Sequence, residues 1–245
     1  MYRDCAALEQ RVARYRTARI PGTEHHRSFR ERVDLCWLVH DFAMDGVALI
    51  AEDVERALAF AEPHHHCDGQ RLAAIRIRRD AIAWVRGFAK QHRGALSLDD
   101  LKQFHVAACK PGEASSGRYR KSNGPMLPYV HTIAKHASIS YYLRRLVDSL
   151  ASAYGKLHPV KAAAMAHHDF MAAWPFDERT PAAGRLLLNF LLLRAGYPPA
   201  IIHARDRASY FHALGGRPQD MVSVVQGGVG LTLDFSDSLL GARAA

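Results

Sequence analysis

The chain has 245 residues, 49% of them apolar, enough to bury a sizeable core at the upper end of what one domain holds. No run of about 18 apolar residues occurs, and the opening MYRDCAALEQRVARYR is too charged for the apolar centre of a secretion signal, so no membrane span is expected and a cytoplasmic location is. The formal net charge of +9 invites a nucleic-acid partner, but neither a recognised nucleic-acid motif nor a set of stacking aromatics accompanies it, which makes nucleic acid an unfavoured partner.

In chain order, apolar residues three and four apart predict a helix over 30–44, RERVDLCWLVHDFAM, and another over 50–62. The following PHHHCD, with His64 to Cys67 at its centre, reads as a solvated loop, because adjacent histidines seldom converge on one ion. Over 71–94, Arg79, Arg86, Lys90 and Arg93 lie opposite Ile75, Ile82, Val85 and Phe88, an amphipathic helix with a basic, solvated face. Ser97 with Asp100 starts a helix over 97–109, and Lys110-Pro111-Gly112 stops it. Residues 125–139, PMLPYVHTIAKHASI, carry β-branched and aromatic residues between breaks and predict a short β-hairpin. A helix over 140–157 follows.

The next helix, over 158–173, should end at Trp174-Pro175, because the residue before a proline is disfavoured in the α region. After PFDERTP comes AAGRLLLNFLLLRAG, apolar all round, as suits a helix buried in the middle of a bundle; Gly196 and Pro198 end it. The intervening loop therefore brings its residues to the N-terminus of a central helix, where unpaired N–H groups attract anions. The tail, VSVVQGGVGLTLDFSDSLL, is ambiguous, since Val and Leu alternate around paired glycines. Cys5, Cys36, Cys67 and Cys109 contain no CxxC pair, so neither a disulfide framework nor a zinc site is signalled. The expected class is all-α, with at most a small β-hairpin flap, in one compact unit.

The run HPVKAAAMAHHDFMAAWPFDERTPAAGRLLLNFLLLRAGYPPAII resembles the core of the Fic (Fido) family, whose motif reads HPFx(D/E)GNGRxxR, with HxxF upstream and a Leu-rich helix ending in GYPP. Aligned without a gap, Trp174 falls at the motif histidine, Pro175 and Phe176 match, Glu178 falls at the acidic position and Arg185 at the second arginine, with His167 and Phe170 at HxxF. SSGRYRKSN resembles the stretch before the family's substrate-positioning hairpin, and RDRASYFHAL the helix after the core. FAMDGVALIAEDVERAL resembles the inhibitory-helix region (S/T)xxxE(G/N), with Asp41, Asp45 and Gly46 at its three marked positions. The resemblance implies N-terminal helices over 1–100, a Fic core over 101–214 and a C-terminal tail over 215–245.

It also implies an activity that the residues do not support. Family members transfer the nucleotidyl part of ATP to a protein hydroxyl, with the histidine as base, the acidic residue on Mg²⁺ and Gly-Asn-Gly-Arg around the phosphates. The indole of Trp174 is a donor only, and Arg179, Thr180, Pro181 and Ala182 replace the phosphate loop, deleting one backbone donor and one cation. Each loss costs about 100-fold or more in rate, so the motif reads as degenerate and AMP transfer by the usual route is not expected. Thr180 and Pro181 instead look like an N-cap and first helical residue.

Candidate roles remain for several side chains. Glu178 either holds a cation or pairs with Arg179; Arg185 either meets an anionic ligand or pairs with Asp45. His168 is a candidate substitute base. Trp174, Phe176, Asp177, Arg179 and Thr180 line the loop, and Tyr129, His131 and His136 are placed to cover it from the hairpin. No metal site and no cofactor are assigned. The favoured reading is a pseudo-enzyme or regulatory protein that keeps a pocket for an unidentified small-molecule or protein ligand, as a possible homodimer. A repurposed enzyme acting on a non-nucleotide substrate through Glu178, Asp177 or a histidine is the alternative. A residual adenylyltransferase using a displaced base comes third.

Overall fold

The computed structural model describes residues 5–18, 24–59, 68–125 and 132–241. Ten α-helices are present among them: α1 (Cys5–Ala18), α2 (Glu24–Met44), α3 (Ala51–Leu58), α4 (Gly69–Gln91), α5 (Leu98–Ala108), α6 (Ile139–Ala151), α7 (Pro159–Ala173), α8 (Thr180–Arg194), α9 (Arg207–Gly215) and α10 (Asp220–Gly241). The all-α expectation holds.

The order of the helices follows from α8. Its residues 182–192 are buried on every side, so it must sit inside the bundle, and it packs against α7, α4 and α5. Around Phe190 the rings of Phe88 and Phe104 close to within 5.0 and 5.3 Å, fixing where α4 and α5 meet α8. Ser97 and Asp100 form a reciprocal capping box at the start of α5, as their spacing indicated. Asp68 caps α4 through Arg71 N at 2.7 Å.

The ambiguous tail is helix α10. One of its paired glycines serves packing rather than a turn: a Cβ on Gly228 would lie 3.1 Å from the Ile201 carbonyl oxygen, so α10 crosses the 200–201 segment closely there, while Gly227 has nothing within 4 Å. Thr232 Oγ1 then donates to Pro199 O at 2.8 Å. Alternating valines and leucines around such a crossing resemble a strand pattern only because α10 is apolar on several faces.

The β-hairpin flap is not seen: among the described residues there is no strand, while 126–131, and with them Tyr129 and His131, lie outside the described residues. The main chain of the flanking arms bonds to the α7–α8 junction, Arg120 N donating to Pro175 O at 2.9 Å and Ala134 N to Ala172 O at 2.8 Å. The Arg120 guanidinium also donates to Ser122 O at 2.6 Å and to Ala134 O, joining one arm to the other. His64 to Cys67 also lie outside the described residues. No described helix is long and apolar enough to cross a membrane.

Candidate functional site

The junction between α7 and α8 is built on two left-handed residues. Trp174, at φ 41°, ends α7, and Arg179, at φ 55°, precedes α8; neither is glycine, so each conformation costs on the order of 1 kcal/mol or more and must be held by its surroundings. At Trp174 the restraint is Arg120, 3% exposed, whose Nε donates to the Trp174 carbonyl at 2.7 Å. At Arg179 it is Glu113, which accepts from Nη1 at 2.6 Å, with Glu178 accepting from the same nitrogen at 3.2 Å.

Inside the turn, Phe176 is fully buried and stacks on His105 at 3.9 Å. Gly117 N–H donates to His105 Nδ1 at 3.0 Å, which leaves the proton on Nε2, where it is donated to Glu178 O at 3.1 Å. Burial and the nearby Arg179 guanidinium hold the His105 pKa below its ordinary value, although the bond to Glu178 opposes them. The ring is therefore a neutral brace for the loop.

Thr180 corrects the sequence reading. It is the first residue of α8 rather than its N-cap, which is Arg179, and its hydroxyl turns back to donate to Phe176 O at 2.9 Å and accept from Phe176 N at 3.0 Å. The positive φ at Arg179 coincides with its pairing to Glu113, a contact from outside the loop. Trp174, 5% exposed, belongs to the core. Asp177 and Glu178 point outward, the Glu178 side chain 73% exposed, and Glu178 is paired with Arg179 as one of its two alternatives had it.

His168 is 8% exposed and its Nε2 donates to Gly216 O at 3.2 Å, tying α7 to the end of α9. His167 bridges Gly184 O through Nδ1 and the Tyr210 hydroxyl through Nε2, each at 2.9 Å. His136 is exposed, with Asn123 Oδ1 3.4 Å away.

Behind the loop lies an ionic node. Gly46, at φ 86°, lets the chain leave α2 with Gly46 N bonded to Ala43 O and Val47 N to Phe42 O, a Schellman-type exit that only Gly or Asn makes without strain. This exit sets Asp41 and Asp45 toward α8. Arg185 Nη2 meets Asp45 at 2.8 Å and its Nε meets Asp41; Arg78 of α4 pairs with Asp41 and reaches Asp45 at 3.1 Å. The expected Arg185–Asp45 pair is thus present, doubled by Asp41. The space lined by Asp41, Arg185 and Asn189 is about 10 Å³, room for one water at most, whereas a cavity of about 580 Å³ opens between α2, α3 and α4. Sequence reasoning missed Arg120, His105, Glu113 and Arg78.

Among the described residues these features define a helical protein in which a loop between two central helices is backed by a buried arginine paired with carboxylates of α2. Residues 95–192 match the Fic/DOC family. The solved Fic-1 structure from C. elegans superposes with a TM-score of 0.79 at 20% identity, over 97% of this chain and 70% of that one. A Fic-domain signalling protein from Bacteroides thetaiotaomicron gives 0.78 at 17%, over 95% and 96%. The protein adenylyltransferase Fic of Nematostella vectensis is 30% identical over 139 residues, 55% of this chain and 32% of that protein. That of Drosophila willistoni is 43% identical over 77 residues, 31% and 16%. The likeness to the Fic/DOC family extends over this core, and the matches span less than a third of the length of these curated relatives.

Proposed function

We propose that this Fic-like chain does not transfer AMP by the family's usual route and acts by binding a protein or small-molecule ligand. The observation that carries the reading is Trp174. It stands where the resemblance places the motif histidine, it is 5% exposed, and its carbonyl is held by a buried Arg120, so the loop is a finished, rigid piece with no base at that position. Arg185 supports the same reading, since a guanidinium already matched by two carboxylates has no charge left for a phosphate.

Calorimetry with ATP and Mg²⁺ at millimolar concentration tests it, together with transfer of labelled AMP to protein acceptors. No binding heat and no transfer are expected, and none in Trp174→His, which restores the base but not the phosphate loop. Transfer by the wild-type chain at rates typical of the family would sink the proposal. The exposed pair Asp177 and Glu178 favours a second reading, acid–base chemistry on a non-nucleotide substrate. Glu178→Ala separates the two, because a binding surface elsewhere keeps its cellular effect and an acid–base site loses it.

A further inference from the structure

Three side chains that the ionic node and the loop do not use meet beside α2. Cys36 and His40 are one turn apart on that helix, and His203 comes from the extended segment before α9. One ligand atom from each lies within 4.8 Å of the other two, and all three residues are half-buried. The His40 and His203 rings stack with centroids 3.9 Å apart, a spacing that two charged imidazoliums would resist. His40 is lightly held, accepting at Nδ1 from Ala204 N–H at 3.4 Å, the far end of the hydrogen-bond range.

We propose that Cys36, His40 and His203 bind one borderline-soft transition ion of the Zn²⁺ class, with water in the fourth position, and so tie α2 to the segment before α9. One thiolate and two imidazoles suit Zn²⁺ far better than Mg²⁺ or Ca²⁺, which need oxygen donors. Bonds of about 2.0–2.3 Å to a tetrahedral ion put donors roughly 3.3–3.8 Å apart, so separations of up to 4.8 Å close by at most about 1.5 Å. Turning the weakly bonded His40 ring and His203 on its extended segment supplies that movement. Asp206, bonded through its N–H to His203 O, adds a carboxylate nearby, and the Arg205 guanidinium, 3.9 Å from that carboxylate with its side chain 68% exposed, adds a cation near both rings that the carboxylate offsets. The thiol loses its proton to solvent as the ion binds. The lack of a CxxC pair could not reveal such a site, because its third ligand is distant in sequence. Since α2 also carries Asp41 and Asp45, the ion would fix the helix that neutralises Arg185, which goes beyond the proposed function and does not depend on it.

The test uses the full chain, stripped with a chelator and titrated with Zn²⁺ against a chromophoric chelator, and with Co²⁺ followed by absorption. One ion per chain is expected, with a thiolate-to-cobalt charge-transfer band. Cys36→Ser should abolish that band, and Cys36→Ser and His203→Gln should each weaken Zn²⁺ binding by more than about 100-fold, since losing even an outer partner of a ligand costs about 10- to 100-fold. A triple variant, His64→Gln with His65→Gln and His66→Gln, should bind as the wild type does. Unchanged affinity in His203→Gln, which lies outside any helix and whose fold circular dichroism checks, overturns the proposal. So does loss of binding in the triple variant, or no binding at all below millimolar Zn²⁺.

Discussion

Arg120 and Trp174 are joined side chain to main chain: the guanidinium Nε of one donates to the carbonyl of the other at 2.7 Å, with both residues at most 5% exposed. The same guanidinium also holds Ser122 O and Ala134 O, so one cation organises both arms of the 118–135 segment around the end of α7. Its removal leaves three carbonyls without that donor. Arg120→Ala is expected to cost about 3 kcal/mol in urea unfolding, and a loss below about 1 kcal/mol would mean that the loop holds itself.

Asp41 and Asp45 should not be equivalent. Asp41 is 5% exposed and serves both Arg78 and Arg185, whereas the Asp45 side chain is 30% exposed. Breaking a buried pair from one side costs about 3–5 kcal/mol, so Asp41→Asn falls in that range while Asp45→Asn, better solvated, costs on the order of 1 kcal/mol. Equal losses in chemical unfolding would contradict this ranking.

Two glycines inside helices predict opposite signs. A Cβ on Gly184 would sit 3.1 Å from Met171 Sδ and 3.2 Å from both His167 Cε1 and Phe170 Cδ1. Overpacking costs about 1–3 kcal/mol and outweighs the helix gain of about 1 kcal/mol, so Gly184→Ala destabilises. Gly87, in the middle of α4, has nothing within 4 Å, and Gly87→Ala should raise the thermal midpoint by the propensity gain alone.

His105 gives a pH dependence with a definite direction. Its folded pKa lies below the ordinary imidazole value, with burial the largest cause, so the unfolded chain takes up the proton first as pH falls. The contribution is full above about pH 6.5 and declines as pH drops toward the folded pKa. Stability measured from pH 7 to 5 should fall more steeply in the wild type than in His105→Gln; parallel curves would show that the neutral tautomer matters little.

The central position of α8 was legible because AAGRLLLNFLLLRAG is apolar all round, and Ser97 with Asp100 announced a cap that the structure keeps. Thr180-Pro181 misled because local capping chemistry carries no sign of Glu113, which pairs with Arg179, the residue before α8, from 66 residues away. Arg120 was hidden for a similar reason: its partners are carbonyls, which every residue possesses and no sequence pattern marks. His105 left a faint signal, a polar residue among Leu101, Phe104 and Ala108 on the buried face of α5. The hairpin was inferred from β-branched and aromatic residues between Pro and polar breaks; its centre lies outside the described residues, and its arms are joined through the Arg120 guanidinium, which the pattern did not mark.

Two cations from different helices, Arg78 of α4 and Arg185 of α8, share two carboxylates that both belong to α2. If the end of α2 lifts, the guanidiniums face one another with nothing between them, and their mutual repulsion rises just as their neutralisation falls. Both carboxylates sit within four residues of one another on one helix end, so lifting that end strips both arginines together rather than one at a time.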